Sequence, residues 1–431
     1  MSFLPPPARP LSRRSLLLVP PAGILAACAA PDRKPAPADE AELEPLFADL
    51  GDQSARWQPI RAAEKRPRLA RAARALTAAG ADALLVEPGP TLSWFSDVEW
   101  GRSERLFALV VLADGSCFWL CPAFEAPRAE GLIAAGGPAG PIVTWDEHEY
   151  AFEPLAAALA VRRVEQLQVA PDARAFVLER VARAHGAQRT ALGLELLREL
   201  RGKKDARELE LMRGACELTL RAIQAVAERL PEGLTDHQLG RWITHAQERL
   251  GLTDVWCLPL IGPGAAAPHG GPEGRRLEPG VGVLVDTGGG LHGYQSDLTR
   301  SWHFGPSADP EFLRAWSAVR SAQESAFARL APGVPCREID RAARAAISAA
   351  GYPGGYEVFG HRLGHGIGLE GHEEPYLDGG NALPLEPGMT FSDEPGIYLP
   401  GRLGVRLEDI VAVTASGGKA LSQWQESPTR P

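Results

Sequence analysis

Clustered cysteines, blocks of like charge and long apolar runs are all scarce in this sequence. Six cysteines are spread over 431 residues, none with zinc-finger spacing. Cys117 and Cys121 lie near each other, but in a segment that reads as a strand. At ~3.3 Å per residue their Cα atoms stand roughly 13 Å apart, beyond disulfide reach. A disulfide framework is therefore not expected, and the thiols read as small buried hydrophobes. No Lys/Arg-rich block follows the first few residues, and the net charge is −9 with a pI near 5.7. That balance gives no footprint for a nucleic-acid partner.

What is present starts with size. A chain of 431 residues, 45% of them hydrophobic, is too long for one ordinary domain and fits two. Residues 1–28 read as an export signal: Arg13-Arg14, an apolar stretch, then Leu25-Ala26-Ala27-Cys28. The apolar stretch is shorter than the ~20 residues a membrane span needs. The paired arginines resemble a twin-arginine signal, and the last four residues resemble a bacterial lipobox in which Cys28 becomes lipidated. The expected location is the periplasmic side, with the membrane touched only through that anchor. Residues 29–55, rich in Ala, Pro and acids, read as a flexible tether.

Residues 56–200 alternate helical and strand patterns, as in a small α/β domain. Helices are expected over 61–79, 150–161 and 173–186, with strands at 83–86, 105–112, 116–121, 142–144 and 167–169. Ala113-Asp114-Gly115 is a plausible hairpin turn. The second domain, residues 201–420, opens with a long amphipathic helix over 203–230, carrying Leu209, Met212, Cys216, Leu220 and Ile223 at helical spacing. Thr235 and Gln238 form the capping box of the next helix. Two more helices are expected near 310–330 and 335–350, between two strand hairpins.

Those hairpins carry an internal repeat. Leu277-Glu278-Pro279-Gly280 precedes one and Leu385-Glu386-Pro387-Gly388 the other, and each glycine is followed at equal distance by an acid, Asp286 or Glu394. Each hairpin returns to a second acid, Asp297 or Glu408. Asp286 and Asp297 are symmetric about 291–292, and Glu394 and Glu408 about Gly401. Each pair is thus expected to face across neighbouring strands at ~4.5–5.5 Å between Cβ atoms. Like charges so placed among apolar residues destabilise a sheet unless something balances them. Two divalent cations would balance four carboxylates, and two-metal hydrolytic sites hold their ions ~3.5–4 Å apart. Glycines around His365 let an imidazole approach as well. The result is a mostly oxygen site suited to Mn, Co, Fe or Zn, and composition does not choose among them.

The segments Asp286-Thr287-Gly288, Gly293 to Arg300, His361 to Leu369, Glu394-Pro395-Gly396-Ile397-Tyr398 and Arg406 to Asp409 together resemble the pita-bread metallopeptidases. That family includes methionine aminopeptidase, prolidase, aminopeptidase P and creatinase. The resemblance covers roughly residues 60–415 and implies an α/β chain: a creatinase-like N-terminal domain, then a duplicated, pseudo-twofold α+β catalytic domain. It implies Asp286 and Asp297 on one metal and His365 and Glu394 on the other, with Asp297 and Glu408 bridging. It also implies Glu394 as the proton relay for an activated water. His269, His361 and His372 match the accessory histidines of the Xaa-Pro-cleaving branch, and Arg406 matches an arginine beside the site. His372, with His269, would hydrogen-bond the substrate carbonyl or amide, and His361 would support the pocket.

The implied substrates are short proline-containing peptides or dipeptides, cut at an Xaa-Pro bond, and the implied assembly is a homodimer. Dipeptidase and aminopeptidase activity stay open, as do a same-fold hydrolase of another amide or ester and a non-catalytic peptide-binding lipoprotein. Trp94, Trp100 and Trp256 are candidates for a substrate entrance.

Overall fold

A computed structural model describes residues 40–271 and 275–431. The signal at 1–28, with Cys28, and the first part of the expected tether lie outside the described residues.

The rest of that tether is a correction. Residues 40–55 are packed, not free: Leu43 of the helix Glu40–Leu46, with Phe47 and Leu50 just after it, is buried in one core with Trp242, Ile243 and Ala246. The three apolar residues recur at helical spacing, a signal obscured by the surrounding alanines, prolines and acids. Trp57 and Ile60 join the same core, so the N-terminal domain begins near residue 62 rather than 56. At the other end the catalytic domain runs past 420, since Gln425 accepts from the Ser301 N–H and Pro428 O from the His303 N–H.

The N-terminal domain is a mixed six-stranded sheet in the order Ile142–Trp145, Cys117–Pro122, Ala108–Leu112, Ala83–Val86, Leu167–Val169, Thr190–Leu192. Alternate strand residues enter two separate cores: Leu84, Val86, Leu109 and Val111 on one face, Ala83, Leu85, Ala108 and Val110 on the other. Helices cover both faces, which is why the central strands are apolar at every position. The expected helix over 61–79 is interrupted at Arg66-Pro67, giving Ala62–Lys65 and Pro67–Ala78, with the proline at the first position of the second helix.

In the catalytic domain the helix Ala206–Ala227 starts at an Asp205 cap that accepts from the backbone of Arg207 and Glu208. The helix Asp236–Arg249 opens on the Thr235–Gln238 capping box, with Thr235 Oγ1 accepting from Gln238 N at 3.2 Å. Helices Pro310–Phe327 and Cys336–Ala349 repeat this pair. Matching hydrogen bonds tie each pair to its Leu-Glu-Pro-Gly segment. Gly233 N donates to Leu277 O and Leu277 N to Leu234 O; Gly333 N donates to Leu385 O and Leu385 N to Val334 O. The duplication therefore includes the helices as well as the hairpins.

The two hairpins differ in register. In the first, the turn is His292-Gly293, both residues at positive φ (50° and 89°), and strand Gly282–Leu291 keeps Gly288–Gly290 inside it. A two-residue turn with both residues at positive φ matches the twist of the flanking strands. Asp286 consequently faces Thr299, and Asp297 lies two residues before Thr299, toward the turn, diagonal rather than directly opposite. In the second, Asp393 faces Asp409 and Gly396 faces Arg406, the pairing expected from symmetry about Gly401.

Candidate metal centre

Each half of the catalytic domain delivers its acids from strands that converge on one cleft of about 660 Å³. Asp286 comes from the strand Gly282–Leu291, and Asp297 from the segment just before Leu298–His303. Glu394 follows Thr390–Asp393, and Glu408 lies between Leu403–Arg406 and Asp409–Thr414. His365 sits in the short strand Gly364–Gly366, which pairs on both sides and is buried. A Cβ at position 364 would run into the Ser392 carbonyl, so only glycine lets that strand approach closely enough.

The five residues fall into overlapping groups whose ligand atoms all lie within 4.8 Å of one another. One group is Asp286, Asp297 and Glu408; another is His365, Glu394 and Glu408. Glu408 belongs to both. His365 Nε2 is 3.5 Å from Asp297 Oδ2 and 3.5 Å from Glu394 Oε1. His365 Nδ1 lies 3.0 Å from the Gly366 carbonyl, which leaves Nε2 for the cluster. Asp297 also groups with His365 and His372.

The donor set fits divalent cations on two counts. Asp286 Oδ1 and Asp297 Oδ1 are buried without a hydrogen-bond partner. Burial, and then the neighbouring acids, push Asp297 and Glu408 well above the ordinary carboxylate range; burial also raises Glu394. Such a cluster is unfavourable when ionised unless positive charge sits among the oxygens.

Around the cluster is a supporting shell. Arg406 NH2 is 2.5 Å from Asp286 Oδ2, its NH1 donates to Tyr398 OH at 2.9 Å, and its Nε donates to Thr299 Oγ1 at 3.0 Å. Thr299 in turn donates to Glu408 Oε2 at 2.6 Å. Ser392 Oγ donates to Glu394 Oε1 at 3.0 Å. Thr299, Tyr398 and Ser392 had no role assigned from sequence. Thr299 was within reach, because it lies two residues from Asp297 on the same face.

His269, His361 and His372 all line the cleft with the acids. His361 Nε2 meets Tyr398 OH at 2.8 Å, and its Nδ1 lies 3.9 Å from Glu394 Oε2. Burial lowers His361 to about 3; His372, exposed at one edge but partly desolvated in the cleft beside His365, is lowered to about 4, so both rings are neutral near pH 7. His372 stacks on His365 with ring centroids 3.7 Å apart. His292 is elsewhere, its Nε2 3.0 Å from Trp57 O.

Of the tryptophans, only Trp256 lines the cleft. Trp94 is buried between the domains, its Nε1 donating to Glu208, and Trp100 stacks on Phe107 at 4.0 Å. Both are apolar rings with a core to fill, which corrects their expected place at the entrance. Cys117, Cys121, Cys216, Cys257 and Cys336 are free thiols.

Comparison with known proteins gives the lineage. Residues 210–415 match metallopeptidase family M24, and residues 68–200 match the creatinase/prolidase N-terminal domain. The chain is 36% identical over 361 residues to a "probable dipeptidase PepE" of Mycobacterium tuberculosis, covering 82% of this chain and 93% of that protein. The crystal structure of dipeptidase PepE from Mycobacterium ulcerans aligns with a TM-score of 0.79 at 35% identity, over 86% of this chain and 99% of that one. Recombinant prolidase from Thermococcus sibiricus aligns with a TM-score of 0.72 at 30% identity, over 83% and 96%. With its creatinase-type N-terminal domain and pita-bread catalytic domain, the chain belongs to metallopeptidase family M24.

Proposed function

We propose that this chain is a two-cation peptidase that hydrolyses Xaa-Pro bonds in short peptides, dipeptides above all. The observation that carries this reading is the convergence of Asp286, Asp297, His365, Glu394 and Glu408 with His269, His361 and His372 in one cleft. The names of the two PepE relatives favour dipeptides among the substrates.

Asp286, Asp297, His365, Glu394 and Glu408 would hold the cations, manganese being the favoured ion, which would supply Lewis-acid polarisation and lower the pKa of water at the site. Glu394 faces His365 on one side and His361 on the other, placed to take the proton from the attacking water. His372 and His269, on the open side of the cleft, donate hydrogen bonds to the scissile carbonyl and its amide. A neutral His372 does so without adding charge to the cluster. Arg406 holds Asp286 through an ion pair and, through Tyr398, orients His361. Trp256 and Leu258 offer an apolar wall for the proline ring.

The test is hydrolysis of Ala-Pro, Ala-Pro-Ala and Ala-Ala by the metal-loaded protein. Release of alanine from Ala-Pro well ahead of the other two supports the reading; preference for Ala-Ala, or cleavage of none, removes the substrate assignment.

We further propose export on the 1–28 signal with Cys28 lipidated, and a homodimer in solution. Labelled fatty acid incorporated by the wild type and lost in Cys28→Ser checks the first. A mass measured by light scattering checks the second.

A further inference from the structure

Between the two domains, the connector that follows the helix Leu194–Leu200 carries two buried cations. Arg201 and Lys204 have side chains only 4% and 2% exposed. Both point at the loop that bears His372. Arg201 NH2 is 2.6 Å from Glu370 Oε2 and 2.7 Å from Glu373 Oε2, and Lys204 Nζ pairs with the other oxygen of Glu373. His372 thus lies between two acids that are each held by the connector.

The connector is itself fixed on both sides. Arg201 NH1 donates to Thr91 Oγ1 at 3.0 Å, and Thr91 donates to Asp172 Oδ1 at 2.7 Å, both residues of the N-terminal domain. Lys204 N donates to Gly388 O at 2.8 Å in the catalytic domain. At position 368 a Cβ would meet Glu373 Oε1 and Lys204 Cε at 2.7 Å, so the loop is closely packed on the clamp. Gln295 N donates to Gly368 O at 2.8 Å, tying the same loop to the first hairpin. His372 itself is exposed, and its ring contact is the stack on His365. An exposed ring on a loop needs its backbone fixed if it is to meet a substrate in one geometry.

We propose that Arg201 and Lys204 are positioning residues, acting through Glu370 and Glu373 to fix His372, so that the N-terminal domain sets the placement of a substrate-facing group. Breaking the clamp loosens His372 while leaving the five cation ligands in place. The effect on catalysis rests on the role given to His372 above; the effect on the ring's position does not.

The test has two readouts on the zinc-loaded protein, using Glu373→Gln and, as a milder change at a more exposed position, Glu370→Gln. The first is the ring resonance of His372, assigned by its disappearance in His372→Ala. It is expected to shift or broaden in both variants, with bound zinc unchanged; an unmoved resonance overturns the proposal. The second is a double-mutant cycle. Glu373→Gln is expected to lower kcat about tenfold in the wild-type background, the scale for groups that orient a site, and less than about twofold when His372 is already alanine. Equal losses in both backgrounds overturn the proposal, because Glu373 would then act independently of His372. Unchanged kcat in His372→Ala removes the catalytic role of His372, and the resonance alone then decides the clamp. Should Glu373→Gln fail to fold, both readouts are taken on Glu370→Gln.

Discussion

The two halves of the catalytic domain share a scaffold and divide the chemistry. Helix pair, Leu-Glu-Pro-Gly segment and acid-bearing hairpin occur in both, joined by the same backbone hydrogen bonds. The first half turns in two residues at His292-Gly293 and supplies two aspartates offset along the sheet. The second supplies two glutamates in symmetric register, together with His361, His365 and His372. Longer acids from one side and shorter acids from the other meet in the middle, where Glu408 joins both ligand groups. In the proposed mechanism the proton passes through the second half at Glu394, while both halves face the substrate, the first through His269 and Trp256 and the second through His372. A duplicated backbone can thus keep its frame while side-chain length and one turn shift the ligands into different jobs.

The sharpest way to break that division is to remove the shared ligand. Glu408→Gln is expected to lose cation binding and to drop activity by more than about 10⁴-fold, beyond the 10²–10⁴ range of a lone acid–base group. Cation content by mass spectrometry and alanine release check it together. Glu394→Gln comes next, at about 10²–10⁴-fold in kcat. The contacts that tie the acids of one half to the other are probed by Arg406→Gln and Thr299→Val, which remove the hydrogen bonds donated to Asp286 and Glu408. Each is expected to weaken cation affinity by about 10–100-fold while saturating metal restores much of kcat. Restoration that fails at any metal concentration would place Arg406 on the substrate side instead.

The pH dependence should run in opposite directions with and without metal. His361 and His372 are held near 3 and 4 in the fold against 6.5 in free chain, so the unfolded state binds more protons below 6.5. Their contribution is present above pH 6.5 and is lost as pH falls toward 4 and then 3; thermal melts from pH 7 to 4 read it. Asp297, Glu394 and Glu408 are raised, so chelator-treated protein holds protons the unfolded chain has released. That protein is expected to lose stability as pH rises above the ordinary carboxylate range, and divalent cation should cancel the loss. The smallest effect is expected from Asp393→Asn. Asp393 is buried, faces Asp409 and is pushed well up by burial, which disfavours its charged form, and an isosteric amide is expected to change stability by less than about 1 kcal/mol.

Much of this was legible in the residues because the signals were local. Strands Ala83–Val86 and Leu167–Val169 have the expected boundaries, and the Thr235 cap lies where its pattern placed it. The repeated tetrapeptide pointed to the acids on both hairpins. The strand Thr253–Ile261 was missed, since Asp254 and Pro259 argue against a strand; it pairs only with Gly282–Leu291, an edge where proline is tolerated. The offset of Asp286 and Asp297 is not visible from their symmetry about 291–292, because the turn sits at His292-Gly293 and shifts the pairing. Packing of Leu43, Phe47 and Leu50 was hidden by composition. The clamp of Arg201 and Lys204 on Glu370 and Glu373 joins residues far apart in sequence, and nothing in local spacing points to it.

The most direct measurement is a metal titration of chelator-treated protein, following bound cations per chain and alanine release from Ala-Pro in the same samples. Activity that reaches its maximum only as a second cation binds, with Asp297→Asn holding fewer than two and inactive, is the predicted result. Full activity with no cation bound, or an Asp297→Asn variant that binds and cleaves as the wild type does, would contradict a centre shared between the two halves.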